Sequence, residues 1–200
     1  MTGTPHVSDI AFSPSVKAVQ TARGSRAFYE ARDWGDALTP DVIGFIGERT
    51  SFYLGTASAD GQPYIQHRGG PKGFLHVIDG KTLAFADFVG NRQYITTGNL
   101  TENNRATIFL MDYGSRSRVK IWGRAEISSD ATLIAQLMPE DYRAKPQQAI
   151  IFHVDAFDTN CSQHIPQMFE ASDVAAALEY LKSRIGELET ELAALKTQKA

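Results

Sequence analysis

Two short stretches of this 200-residue chain carry residue types that can hold an anionic ligand. In Gln66-His67-Arg68-Gly69-Gly70-Pro71-Lys72-Gly73, polar and cationic side chains run straight into glycines, where a backbone can approach a ligand and present its N–H groups to it. In Asp87-Phe88-Val89-Gly90-Asn91-Arg92-Gln93, a strand end turns through Gly90 into an expected helix. Free N–H groups at a helix start beside Arg92 make a phosphate site. A third stretch, Arg118-Val119-Lys120-Ile121-Trp122, alternates as a strand does. Val119 and Ile121 share one face, and two cations and an indole share the other. A large exposed Trp beside two charges marks an interface or a ligand. Taken singly, each stretch has a plainer reading: a glycine loop, an ordinary Gly-Asn turn, a solvated strand face.

Charge distribution favours the ligand reading. The chain carries a net charge of −3 and a pI near 5.9, so it lacks the positive field that nonspecific nucleic-acid binding uses. Yet between Phe88 and Ala125 six basic residues (Arg92, Arg105, Arg116, Arg118, Lys120, Arg124) stand against two acidic ones (Glu102, Asp112). That strip suits a small anion. Other chemistries lack their signatures: there is no G-x-S-x-G elbow, phosphate-binding Walker loop, H-E-x-x-H helix or paired Cys motif. The five histidines share no ligand spacing, so no metal site is expected. The single cysteine, Cys161, excludes an intramolecular disulfide. No secretory signal and no apolar run approaching the roughly 18 residues of a membrane span is present, so a cytoplasmic protein is expected.

Strands must position these residues. Ser51 to Ser58 is aromatic and β-rich, Asp60-Gly61 is a hairpin turn, and Pro63 to Arg68 alternates beyond it. Phe74 to Ile78 and Thr82 to Ala86 flank Asp79-Gly80; Arg105 to Met111, Ser117 to Ile127 and Ala149 to Phe157 follow. Asn91 to Leu100 and Asp130 to Leu137 read as short helices. Upstream, Ser13-Pro14 starts one helix that Gly24 can end, and Thr39-Pro40 starts another with Val42, Phe45 and Ile46 as its apolar face. The expected fold is mainly β with flanking helices: a six- or seven-stranded antiparallel barrel, closed or nearly so. Val174, Leu178, Leu181, Ile185, Leu188, Leu192 and Leu195 then repeat at alternating spacings of four and three, the pattern of a coiled-coil seam. The organisation predicted is an arm over 1–38, a barrel over 39–169 and a C-terminal amphipathic helix over 170–200.

In order and spacing, PYIQHRGGPKGFL, DFVGNRQYITTGNLTENNRATIFLMD, SRVKIWGRAEI and NCSQHIPQMF resemble the pyridoxamine 5′-phosphate oxidase-like family of FMN-binding split barrels. The resemblance spans roughly Pro40 to Phe169. It implies a split barrel and a homodimer in which each flavin site draws on both chains. By position, Gln66, His67 and Arg68 would line the flavin, with Gly69 letting the chain pass close to it. Asp87 leads into Gly90, Asn91, Arg92 and Gln93, which occupy the family's phosphate-gripping turn; Arg92 would be the main phosphate ligand. Arg118 and Lys120 match a strand that reaches the cofactor from the opposite subunit. Cys161, Gln163 and His164 lie in a segment resembling one that closes over the ring. The implied activity is FMN-dependent oxidoreduction with a small-molecule donor or acceptor. The alternatives are a deazaflavin-dependent reductase and a non-catalytic flavin-binding or scaffold dimer. Family oxidases carry Lys where Gln93 stands, and an Arg/His-containing C-terminal segment that this chain lacks, so the resemblance names a cofactor and not a substrate.

Overall fold

A computed structural model describes residues 6–160 and 163–198; Cys161 lies outside the described residues. The chain forms two compact units: residues up to 112 together with 117–163, and the segment 113–116 together with 164 onward.

The first unit begins with a short 3₁₀ helix (Val7–Ile10), followed by α1 (Pro14–Ala22), α2 (Arg26–Glu30) and α3 (Pro40–Gly47). Ser13 Oγ accepts from the Val16 N–H and caps α1 as its sequence predicts. At α3 the backbone of Thr39 takes the capping position, but its hydroxyl makes no capping bond. Val42 and Ile46 are the buried face of α3; Phe45 packs at the margin of the core. Strands β1 (Ser51–Ala57) and β2 (Pro63–Gly69) form a hairpin whose turn places Gly61 at φ 91°, a conformation few L-residues adopt. Then come β3 (His76–Asp79), β4 (Thr82–Phe88), α4 (Ile95–Glu102), β5 (Arg105–Asp112), β6 (Ser117–Ser128), α5 (Ala131–Gln136) and β7 (Pro146–Asn160).

All seven strands join one antiparallel sheet in the order β2-β1-β5-β6-β7-β4-β3. It does not close: β2 and β3 are its two edges. This is the open form of the expected barrel, a split barrel. Its core comes from alternate residues of the inner strands, including Phe52, Leu54, Leu83, Phe85, Ile108, Leu110, Val119, Ile121, Ile150 and Phe152, with Val42 and Ile46 of α3 against them. Asp130 caps α5 by accepting from the Thr132 and Leu133 N–H groups at 2.7 and 3.2 Å.

Two features differ from the sequence expectation. The helix expected from Asn91 begins at Ile95, so residues 89–94 form a loop. The left-handed conformations in that loop fall on Arg92 (φ 59°) and Tyr94 (φ 54°), not on Gly90. Trp122, expected to face outward toward a ligand or partner, is stacked on Trp34 of the N-terminal arm, with ring centroids 4.6 Å apart and planes at 20°. The arm itself is held by Asp33, whose carboxylate accepts from the Val7, Ser8 and Trp34 N–H groups at 3.0, 3.0 and 2.8 Å. An isolated bridge from Gly35 to Phe157 continues it onto the sheet. Sequence alternation put Trp122 on the correct face; a distant segment of the same chain covers it.

In the second unit, the Gln167 side chain donates to the Gly114 carbonyl at 2.9 Å and the Met168 N–H donates to the Tyr113 carbonyl at 3.3 Å. A single long helix, α6 (Ala171–Gln198), follows. Among the described residues, no helix is long and apolar enough to cross a membrane.

Candidate functional site

The split in the sheet is spanned by side chains. β2 sends Tyr64, Gln66 and Arg68 to its inner side and Ile65 and His67 outward, as its burial alternates. Arg68 forms an ion pair with Asp87 at the end of β4, linking an edge strand to a strand far from it in the sheet order. Both side chains are largely buried, at 11% and 12% exposure. The second Asp87 oxygen accepts from Gln148 Nε2 at 2.9 Å, and the same Gln148 nitrogen lies 3.0 Å from Thr97 Oγ1. Thr96 Oγ1 donates to Gln66 Oε1 at 3.0 Å. These bonds tie β2, β4, β7 and the first turn of α4 around one cleft.

Its walls are Tyr64, Gln66 and Arg68 of β2, Asp87 and Phe88 of β4, the loop through Gly90, Asn91, Arg92 and Gln93, the start of α4, and Gln147. Two cations therefore share it, in different states. Arg68 is neutralised by Asp87, but its Nε is buried and has no hydrogen-bond partner. Arg92 is exposed, and among the described residues no carboxylate pairs with it. A buried guanidinium N–H with nothing to accept it is costly unless a bound group completes it. The loop is internally braced: Asn91 Oδ1 accepts from the Gln93 N–H at 3.1 Å, and Asn91 Nδ2 donates to Gln93 Oε1 at 3.2 Å. Holding Arg92 and Tyr94 in the left-handed region costs energy, which the braced loop and the Gln147-to-Tyr94 hydroxyl bond at 3.1 Å offset. The result is a fixed, cationic rim beside an unfilled donor.

Of the residues the sequence singles out, Gln66, Arg68, Asp87, Asn91, Arg92 and Gln93 meet at this cleft. His67 does not: it points to the outer face of β2 and packs edge-on against Tyr53, its cross-strand partner, at 5.6 Å. Gly69 lies at the end of β2 opposite Ser51. Arg118 and Lys120 sit on the outer face of β6, away from the cleft of their own chain. Lys120 pairs with Asp158 at 3.1 Å, and Arg118 Nε is buried without a partner. Gln163 is exposed in the turn after β7, and His164, at φ 61°, belongs to the second unit.

Sequence reasoning missed Tyr64, Tyr94, Thr96, Thr97, Gln147 and Gln148. Strand alternation could have placed Tyr64 beside Gln66 and Arg68. The Gln147-Gln148 pair ahead of the apolar run Ala149 to Phe152 is a polar strand start, but only the β4–β7 pairing, with Asp87 opposite Gln148, gives it meaning.

No curated protein matches this chain. Among solved structures it is similar to HupZ of Group A Streptococcus, at 17% identity and a TM-score of 0.51, covering 66% of this chain and all of that one. A point variant of HupZ gives the same identity and score. An FMN-binding protein of Syntrophomonas wolfei subsp. wolfei is 11% identical, with a TM-score of 0.47 over 72% of this chain and 97% of that one. At such identities the likeness to HupZ concerns the fold alone. The family model for pyridoxamine 5′-phosphate oxidase, in contrast, matches residues 38–161, which span the whole seven-stranded sheet and its cleft. The match covers 124 of the chain's 200 residues, and by it the chain belongs to the pyridoxamine 5′-phosphate oxidase family.

Proposed function

We propose that this protein is a homodimeric FMN-dependent oxidoreductase whose cofactor sits at the split of the sheet. The observation that carries the reading is the pairing, in one cleft, of an uncompensated Arg92 with the partnerless buried Nε of Arg68, in a chain of this family. Arg92 and the N–H groups of the 90–94 loop would hold the phosphate, where charge-assisted bonds count most. Gln66 and Arg68 would face the flavin, with Asp87 fixing the guanidinium and Thr96 fixing the Gln66 amide. FMN supplies hydride or electron transfer; the protein contributes binding, orientation and electrostatics. Arg118 and Lys120, on the far side of their own sheet, would serve the cleft of a second subunit.

Among the residues lining the cleft Asp87 is the only carboxylate, and it is committed to Arg68 and Gln148. This chain's residues would therefore bind and polarise the ring, with no carboxylate free to exchange a proton. The deciding experiment is the absorption spectrum of the purified protein, with identification of the compound released on denaturation. The expected result is a flavin spectrum and released FMN. A colourless protein that remains colourless when titrated with FMN overturns the reading, as does release of a deazaflavin. Oxidase or reductase turnover with NAD(P)H and simple electron acceptors then separates an enzyme from a non-catalytic flavin carrier.

A further inference from the structure

The apolar stripe of α6 has no role in the flavin site proposed above. Val174, Leu178, Leu181, Ile185, Leu188, Leu192 and Leu195 run along one face of the helix, each between 45% and 56% exposed. Helices in proteins draw most of their stability from packing an apolar face rather than from propensity, and Gly186 in the middle of this 28-residue helix lowers its propensity further. Helices of this kind are stabilised by covering the stripe. Covering it on two helices removes on the order of 1,000 Å² from water, which reaches the size of a specific interface.

The charges flanking the stripe say what covers it. With Leu178, Ile185 and Leu192 at the first core position of each heptad and Val174, Leu181, Leu188 and Leu195 at the second, the residues bordering the seam are Lys182, Glu189 and Lys196 on one side and Arg184 and Glu191 on the other. In a parallel, in-register pair, each border residue meets the one five positions later on the partner helix. Arg184 then faces Glu189 and Glu191 faces Lys196, each twice by symmetry. Every charged pair is attractive; the antiparallel alternative also pairs Arg184 with Glu191 and Lys182 with Glu189, so the charges favour a second copy of this helix, and the parallel register is favoured because it covers all seven apolar residues, Val174 included. Arg184 is also engaged with Glu187 of its own helix at 2.7 Å, but that pair is half-exposed and contributes little. We propose that α6 pairs with α6 of a second copy of this chain as a parallel, in-register, two-stranded coiled coil. The pairing stands whether or not the cleft binds flavin.

Full-length chains in a Cys161→Ser background provide the test. Leu181→Cys brings two thiols face to face across a parallel seam, within disulfide reach. An antiparallel pairing that covers every leucine and isoleucine of the stripe instead sets position 181 opposite position 192. Ser183→Cys, on the outer face of the helix, is the control. Under mild oxidation, Leu181→Cys should run as a covalent dimer on a non-reducing gel, with Ser183→Cys remaining monomeric. Adding Glu189→Lys should slow cross-linking at least fivefold, and adding Arg184→Glu as well should restore it to within twofold. Absence of cross-linking at 181, or equal cross-linking at 183, overturns the pairing. Failure of the double charge exchange to recover overturns the parallel register. In an antiparallel pair the new lysine would meet Lys182 and the new glutamate would meet Glu191, so both exchanged charges would be repelled.

Discussion

At the scale of single residues, the cleft assigns different tasks to two arginines that look alike in the sequence. Arg68 is fixed by Asp87 and keeps a buried Nε without a hydrogen-bond partner; Arg92 stands on a braced loop with no carboxylate paired to it among the described residues. Arg92→Ala should therefore weaken FMN binding by the worth of a charge-assisted hydrogen bond, about 1.5–3 kcal/mol, which is roughly a ten- to hundredfold rise in Kd by flavin fluorescence quenching. Folding stability should change little, since Arg92 is exposed and forms no ion pair among the described residues. Unchanged FMN affinity would remove Arg92 from the phosphate site. Asp33 is a second residue with a definable task. Burial pushes its pKa upward, but the N–H groups of Ser8, Val7 and Trp34 outweigh that and hold it below the ordinary 3.8. A carboxylate with a lowered folded pKa contributes stability above its unfolded value and loses it as pH falls through the folded one. The hold on the N-terminal arm should thus weaken below pH 3.8, with a change in fluorescence because Trp34 leaves Trp122, the only other tryptophan in the chain. In Asp33→Asn that acid step should vanish; a step of equal midpoint would assign it to another group.

Elements show where local geometry is enforced by neighbours. β6 and β7 pair over eleven register positions with one slip, between Trp122 and Gly123, where Asp155 of β7 has no register partner on β6, although its carboxylate pairs with Arg124 at 3.6 Å. A Cβ at Gly123 would lie 2.0 Å from the His153 carbonyl oxygen and 2.7 Å from the Phe152 ring. Backbone is the nearer obstacle, so the strand has no cheap way to yield. Gly123→Ala should cost at least about 2 kcal/mol by urea unfolding, at the upper end of ordinary overpacking. A loss below about 0.5 kcal/mol would mean the bulge relaxes freely. Along β6 the two-residue alternation runs unbroken through the slip, with Trp122 and Arg124 outward and Ile121 and Ala125 in the core, because the extra residue, Asp155, is accommodated on β7.

For the molecule as a whole, the proposed shared flavin site and the proposed α6 pairing together predict assembly by two routes. The residues of β6 that the family resemblance assigns to the flavin lie on the side of the sheet away from their own cleft, which is the arrangement a site shared between two subunits requires. The α6 seam would add a second link. A chain ending at Ser172 should dimerise at least tenfold more weakly by sedimentation yet keep FMN, because the cleft lies wholly within the first unit. A truncated chain that is a stable monomer and still holds FMN would break the shared-site proposal.

Local patterns were enough for the strands, the hairpin at Asp60-Gly61, the cap at Ser13 and the helix α6, because each depends on residues a few positions apart. The ordered stretches around Arg68 and Arg92 were likewise legible, since side-chain types and spacing are sequence properties. Which of those residues meet was not. His67 leaves the cleft because a two-residue period sends it to the face opposite Gln66 and Arg68. Arg68 finds Asp87, and Asp87 finds Gln148 from 61 positions away, only when the sheet curls until its split is narrow enough for side chains to bridge. Trp122 is covered by an arm 88 residues upstream in the chain. Local spacing decides what a segment is; long-range pairing, paid for in chain entropy and repaid by burial, decides what it touches.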